Sequence, residues 1–152
     1  MRALTLEHVA EVLLEHDLIT QDHLRTIMVR ENQLVAMARK AKERIWGKDS
    51  RPGAALVSPV ELIVQAQIPH LDGTLGEDAI MEALAMASGM PFYKIDPLRL
   101  DAKLITRTLS RGFARSNTIL PLWQKDGVLT IAVDNPYNRE PIESLRSLTG
   151  LE

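Results

Sequence analysis

Ile119-Leu120-Pro121-Leu122-Trp123-Gln124-Lys125-Asp126-Gly127-Val128-Leu129-Thr130-Ile131-Ala132-Val133-Asp134-Asn135-Pro136 is the stretch on which the fold of this chain turns. Two apolar runs flank Asp126-Gly127, a dipeptide suited to the positive φ angles that a two-residue hairpin turn demands. Asp134-Asn135-Pro136 ends the second run, because proline cannot donate to a ladder. The pattern predicts a β-hairpin over 119–133.

Outward from the hairpin, Pro91-Phe92-Tyr93-Lys94-Ile95-Asp96 alternates ring or aliphatic with polar residues, which predicts a half-buried strand. Asp101 is placed to cap a helix on which Leu104, Ile105, Leu109 and Phe113 share one face. Trp123 is expected to pack in the sheet. A last helix carries Ile142, Leu145 and Leu148 inward and stops at Gly150, a C-cap glycine. This run holds no nucleophile beside a base.

The first ninety residues are helical in pattern. Thr5 caps a helix with Leu6, Val9, Ala10, Leu13 and Leu14 inward. Thr20 caps a second, long helix carrying Leu24, Ile27, Met28, Leu34, Val35 and Ala38. Between Arg39 and Arg51, six basic residues stand against Glu43 and Asp49, and 47–53 is loop chemistry. That segment is expected to be a solvated helix end and a linker over about 45–57, open to trypsin at Arg44, Lys48 and Arg51. Ser58-Pro59-Val60-Glu61 opens a third helix with a capping box, and Pro69 stops it. Thr74-Leu75-Gly76-Glu77 reads as a second box, ahead of a helix with Ala79, Ile80, Ala83, Leu84 and Ala87 inward and Gly89 at its end. Met81, Met86 and Met90 read as core filling.

Composition narrows the function. Among 152 residues there is no cysteine, which removes disulfides and thiolate chemistry and suits a reducing cytoplasm. Lys and Arg number 18 against 20 Asp and Glu, so no global field draws nucleic acid. Aromatic residues make up 4%, too few for base-stacking platforms. No apolar run approaches the roughly 18 residues of a membrane span. His8, His16, His23 and His70 contain no i,i+4 pair, so neither a metal nor a catalytic set is expected. Glu77 and Asp78 read as first-turn acids favourable to the helix dipole. No G-x-x-x-x-G-K-[ST] loop is present to cradle phosphates.

In order, the chain reads Glu77-Asp78-Ala79-Ile80-Met81-Glu82-Ala83-Leu84-Ala85, Gly89-Met90-Pro91-Phe92, Ile95-Asp96-Pro97-Leu98, Phe113-Ala114-Arg115, the hairpin through Asp134-Asn135-Pro136, and Leu145-Arg146-Ser147-Leu148-Thr149-Gly150. In these phrases it resembles the N-terminal region of type II secretion and type IV pilus assembly ATPases, the secretion E protein and its relatives. The resemblance covers about 75–150. It implies an α+β fold, with a helical subdomain over 1–89 and a small α/β sandwich with a β-hairpin over 90–152, cut ahead of an ATPase core that lies later in the parent chain.

The resemblance also implies a non-catalytic docking and regulatory module, with no cofactor in this fragment and with ATP and Mg in the parent. Its partners would be its own ATPase domain and the cytoplasmic domain of an inner-membrane platform protein. The location implied is cytoplasmic, peripheral at the inner membrane through that partner, without membrane insertion or nucleic acid. Leu24, Ile27, Met28 and Trp46 are the candidate partner-binding residues. The alternative is a cyclic di-GMP-binding regulatory domain, since some relatives bind that ligand through a doubled R-L-G-x-x-L-L-x-x-G-L-L motif. Against the first copy, His8 replaces the arginine, Ala10 and Asp17 the glycines, and Glu31 the glutamine. Against the second copy stand Val64, Ala66, Gly73 and Ala87. Asp17 and Glu31 would meet an anionic ligand with like charge.

Overall fold

The computed structural model describes residues 4–46 and 57–152, which form two compact units, Leu4–Gly89 and Met90–Glu152. The fold is α+β, with helices and two small antiparallel hairpins.

The first unit begins with α1 (Leu6–Glu15), where the Thr5 hydroxyl accepts the His8 amide at 3.2 Å. The helix ends in a Schellman turn. Leu18 N–H bonds Leu13 O at 2.9 Å and Asp17 N–H bonds Leu14 O at 3.1 Å, with Asp17 in the left-handed region at φ 56. Next, α2 (Gln21–Val29) opens on a box in which His23, instead of glutamate, accepts the Thr20 amide through Nδ1 at 3.2 Å.

The long helix expected here is two helices. Arg30, at φ -94 and ψ 9, leaves helical geometry, and α3 (Glu31–Trp46) starts afresh. The Thr26 hydroxyl back-bonds to the Asp22 carbonyl at 2.9 Å, a contact that loosens the turn before the break.

After 47–56, which lie outside the described residues together with the expected linker and its trypsin sites, α4 (Pro59–Gln65) opens on the Ser58–Glu61 box. A minimal hairpin, β1 (Pro69–His70) with β2 (Gly73–Thr74), precedes α5 (Glu77–Ser88). The second expected capping box does not form. Thr74 belongs to β2, and Gly76 caps α5 with no side-chain bond. Packing of α1 on α4 and α5, and of α3 on α4, buries Val9, Leu13, Leu34, Ile63, Leu75, Ile80 and Leu84. Ala85 is buried where Ala87 was expected, and Met86 is 66% exposed, off the inward stripe. The helical period puts residue 86 roughly 120° around from Ile80.

In the second unit, 91–96 joins no ladder among the described residues. Its alternation is that of a strand, yet among the described residues β3 (Ile119–Lys125) pairs in a ladder with β4 (Val128–Val133), and 91–96 is paired with neither. Tyr93 instead meets the Trp123 ring edge-on at 5.7 Å, and Trp123, expected to be packed, is 48% exposed. A 3₁₀ turn over Pro97–Arg99 follows, then α6 (Ala102–Thr108), capped by Asp101 at 3.1 Å from the Lys103 and Leu104 amides.

The helix expected to carry Leu104 through Phe113 also divides. Leu109 is extended, and the Ser110 hydroxyl caps α7 (Arg111–Ser116) through the Phe113 amide at 3.1 Å. A serine inside an apolar stripe offered an N-cap, and the chain took it.

The hairpin forms as expected. Asp126 at φ 52 and Gly127 at φ 77 make the turn, and a register shift falls between Pro121 and Trp123. The final helix, α8 (Glu140–Thr149), buries Leu145 and ends at Gly150 with φ 69, while Leu148 is exposed. Three-residue steps drift by about 60° each, which carries position 148 off the inward face. Beyond α8, Glu152 N–H bonds Gly127 O at 3.2 Å and Leu129 N–H bonds Glu152 O at 2.6 Å.

Asp134 follows β4. Partial burial pushes its carboxyl above the ordinary 3.8, against the opposing hydrogen bonds of Thr118 and of the 134 and 135 backbone. The folded state therefore holds this proton more tightly than the unfolded chain. Its stabilising contribution is complete below pH 3.8 and is lost as pH rises through the folded value. Asp134→Asn is expected to gain on the parent at pH 7 relative to pH 3 in urea midpoints. An equal difference at both pH values would refute this.

Candidate functional site

The candidate docking surface lies in the Leu4–Gly89 unit, and its geometry follows from how α2 and α3 are set. The Thr20 box fixes the start of α2, and the inward position goes to Ile27, which is 1% exposed. Ile27 is therefore core. Leu24 and Met28 are half-buried beside it. Val29 is exposed at the last residue of α2. Val29 falls outside the Leu24–Ile27–Met28 stripe, and being off that stripe on a helix is itself the signal of exposure. Trp46 ends α3, and its side chain lies outside what is described.

Charge frames this surface. Arg25 pairs loosely with Asp22 at 3.6 Å in open solvent, a contact of little energetic value. On α3, Arg39, Lys40 and Arg44 are exposed with Glu43 among them, while Lys42 reaches Glu61 of α4 at 3.0 Å. That pair, partly shielded, ties α3 to α4. Ile45 continues the inward stripe of Leu34 and Ala38 at helical spacing but is exposed.

The positions aligned with the dinucleotide motif scatter by environment. Ala10 is fully buried, His8 half-buried, and Asp17 and Glu31 exposed. The left-handed turn that a glycine would make is nevertheless present at Asp17. Gly73 lies in β2, and Val64 in α4.

Among the described residues, no group of three or more His, Asp or Glu side chains could hold a metal ion. Among the same residues, no helix is long and apolar enough to cross a membrane.

Residues 88–152 match the MshEN domain family. Over 62 residues the chain is 36% identical to the type IV pilus assembly ATPase TfpB of Acinetobacter baylyi, a match that covers 41% of this chain and 11% of that protein. No solved structure matches. The chain thus spans a small part of this relative's length. An MshEN domain is an N-terminal domain of type II secretion and type IV pilus ATPases and is not their catalytic domain.

Proposed function

We propose, from the premise that residues 88–152 are an MshEN domain of secretion and pilus ATPases, that this chain is a docking and regulatory module joining such a motor to the cytoplasmic domain of an inner-membrane platform protein. The observation that carries this reading is the family match on the second unit, preceded by a helical unit with apolar side chains at its surface. ATP hydrolysis belongs to an ATPase domain outside this sequence. The module works in the cytoplasm and reaches the membrane through its partner.

Contact falls to the helical unit, on Leu24, Met28 and Val29. Acidic Glu7, Glu11, Glu15 and Asp17 on and after α1, and basic Arg39, Lys40 and Arg44 on α3, orient the partner and speed encounter more than they add affinity. Protein docking is favoured over cyclic di-GMP because exposed Asp17 and Glu31 occupy motif positions where an anionic ligand would meet them.

The test is capture of the full chain by an immobilised platform cytoplasmic domain from a type II secretion or type IV pilus system. Leu24→Glu with Met28→Glu is expected to abolish capture while circular dichroism stays unchanged. Undiminished capture by the folded double variant would place the interface elsewhere. Titration with cyclic di-GMP is expected to give no saturable heat; a saturating isotherm would favour the regulatory-ligand reading.

A further inference from the structure

The second unit carries a feature that platform docking does not use. Between the 93–100 segment, which includes the 3₁₀ turn, and β3 lies a groove of about 240 Å³. Buried Leu122 and half-buried Leu100 form its floor, and the Tyr93 and Trp123 rings, set at 73°, rise from it half-exposed. Exposed apolar side chains collect along the same segment, Phe92 and Ile95 partly and Leu98 at 95%. Such a concentration on a small unit marks an interaction surface. The edge-to-face ring pair holds that surface in one shape, which lowers the ordering cost of binding.

Charge selects the occupant. Residues 91–125 contain Lys94, Arg99, Lys103, Arg107, Arg111, Arg115 and Lys125 against Asp96 and Asp101 only, an excess of five positive charges in a chain whose net charge is -2. Arg99 and Asp96 both line the groove; Arg99 is 82% exposed and only loosely paired with Asp96 at 3.6 Å, which leaves its guanidinium open to a further carboxylate. Arg107 donates to Gln124 Oε1 at 3.1 Å, which sets a second guanidinium on β3, outside the residues that line the groove.

We infer that this groove binds an acidic peptide segment through one apolar anchor side chain, the anchor seated against the joined Tyr93–Trp123 rings and Leu100 and Leu122, and its flanking carboxylates met by Arg99 and by the exposed basic residues of the 91–125 segment. The volume favours a peptide side chain over a nucleotide, because it falls below the roughly 300 Å³ at which small-molecule sites begin. The rings stand edge to face, so they offer no stacked platform for successive bases.

The experiment is fluorescence polarisation with the 152-residue chain and a fluorescein-labelled Glu-Asp-Glu-Phe-Glu-Asp peptide. Saturable binding that weakens with salt is expected, as is at least about a tenfold loss in Trp123→Ala and in Arg99→Glu. A Gln-Asn-Gln-Phe-Gln-Asn peptide and a Glu-Asp-Glu-Ser-Glu-Asp peptide are each expected to bind at least about tenfold more weakly. Circular dichroism guards against unfolding, and Arg99→Glu, at an exposed side chain, tests the site without disturbing packing. Absence of binding, equal binding of the uncharged peptide, or unchanged affinity in a folded Arg99→Glu protein would overturn the inference. So would tighter binding of labelled oligothymidine than of the acidic peptide.

Discussion

Leu13→Ala is expected to destabilise the Leu4–Gly89 unit by about 2–5 kcal/mol. Leu13 is fully buried on α1, the helix that packs on both α4 and α5, so its removal opens a cavity where three helices meet. A domain rarely holds more than about 5–15 kcal/mol in all, so the loss takes a large share of the total. Urea unfolding followed by helical ellipticity reads the effect. Glu11→Ala, exposed on the same helix, serves as the reference and is expected to stay within about 0.5 kcal/mol. Equal midpoints for the two variants would show that α1 does not organise this core.

Gly127→Val is expected to cost the second unit more than Gly127→Ala, which itself should cost about 1–2 kcal/mol. The reason is backbone conformation and not crowding. A Cβ at 127 would meet nothing within 4 Å, but φ is 77, and a β-branched residue is a severe outlier there. Loss of the turn also loosens the pairing of Lys125 with Val128. Trp123 lies two residues before that pair and reports the change by fluorescence, with Phe replacing Trp46 to remove its signal. A neutral Val substitution would mean that the hairpin is held by its side chains and not by its turn.

Local chemistry was the legible part of this fold. Thr5, Ser58, Asp101, Asp126-Gly127, Gly89 and Gly150 each act on backbone groups within a few residues, so each could be read from neighbours alone. Elements that depend on distant partners were less legible. The strand pattern at 91–96 is intact, but a strand exists only where another edge accepts it. The breaks at Arg30 and Leu109 sit inside continuous apolar stripes, where periodicity gives no warning; only Ser110 hinted at the second. Of the candidate contact residues, Leu24, Ile27 and Met28 share one helical stripe, and a stripe cannot tell its buried centre from its half-buried flanks. Ile27 lies at that centre. The groove beside Trp123 was hidden for a related reason, since its walls come from residues thirty positions apart.

The two bonds of Glu152, one to Gly127 in the turn and one to Leu129 near the start of β4, bear on how this protein meets other copies of itself. An unguarded strand edge invites edge-to-edge association. Here α8 acts as a tether that returns the chain beside the turn end of β4. A short tether gives the returning residues a local concentration in the millimolar range. A second molecule, present at micromolar levels in ordinary preparations, competes for those same backbone groups at a large disadvantage. Labels or surface attachments fixed at residue 152 pull on this guard directly.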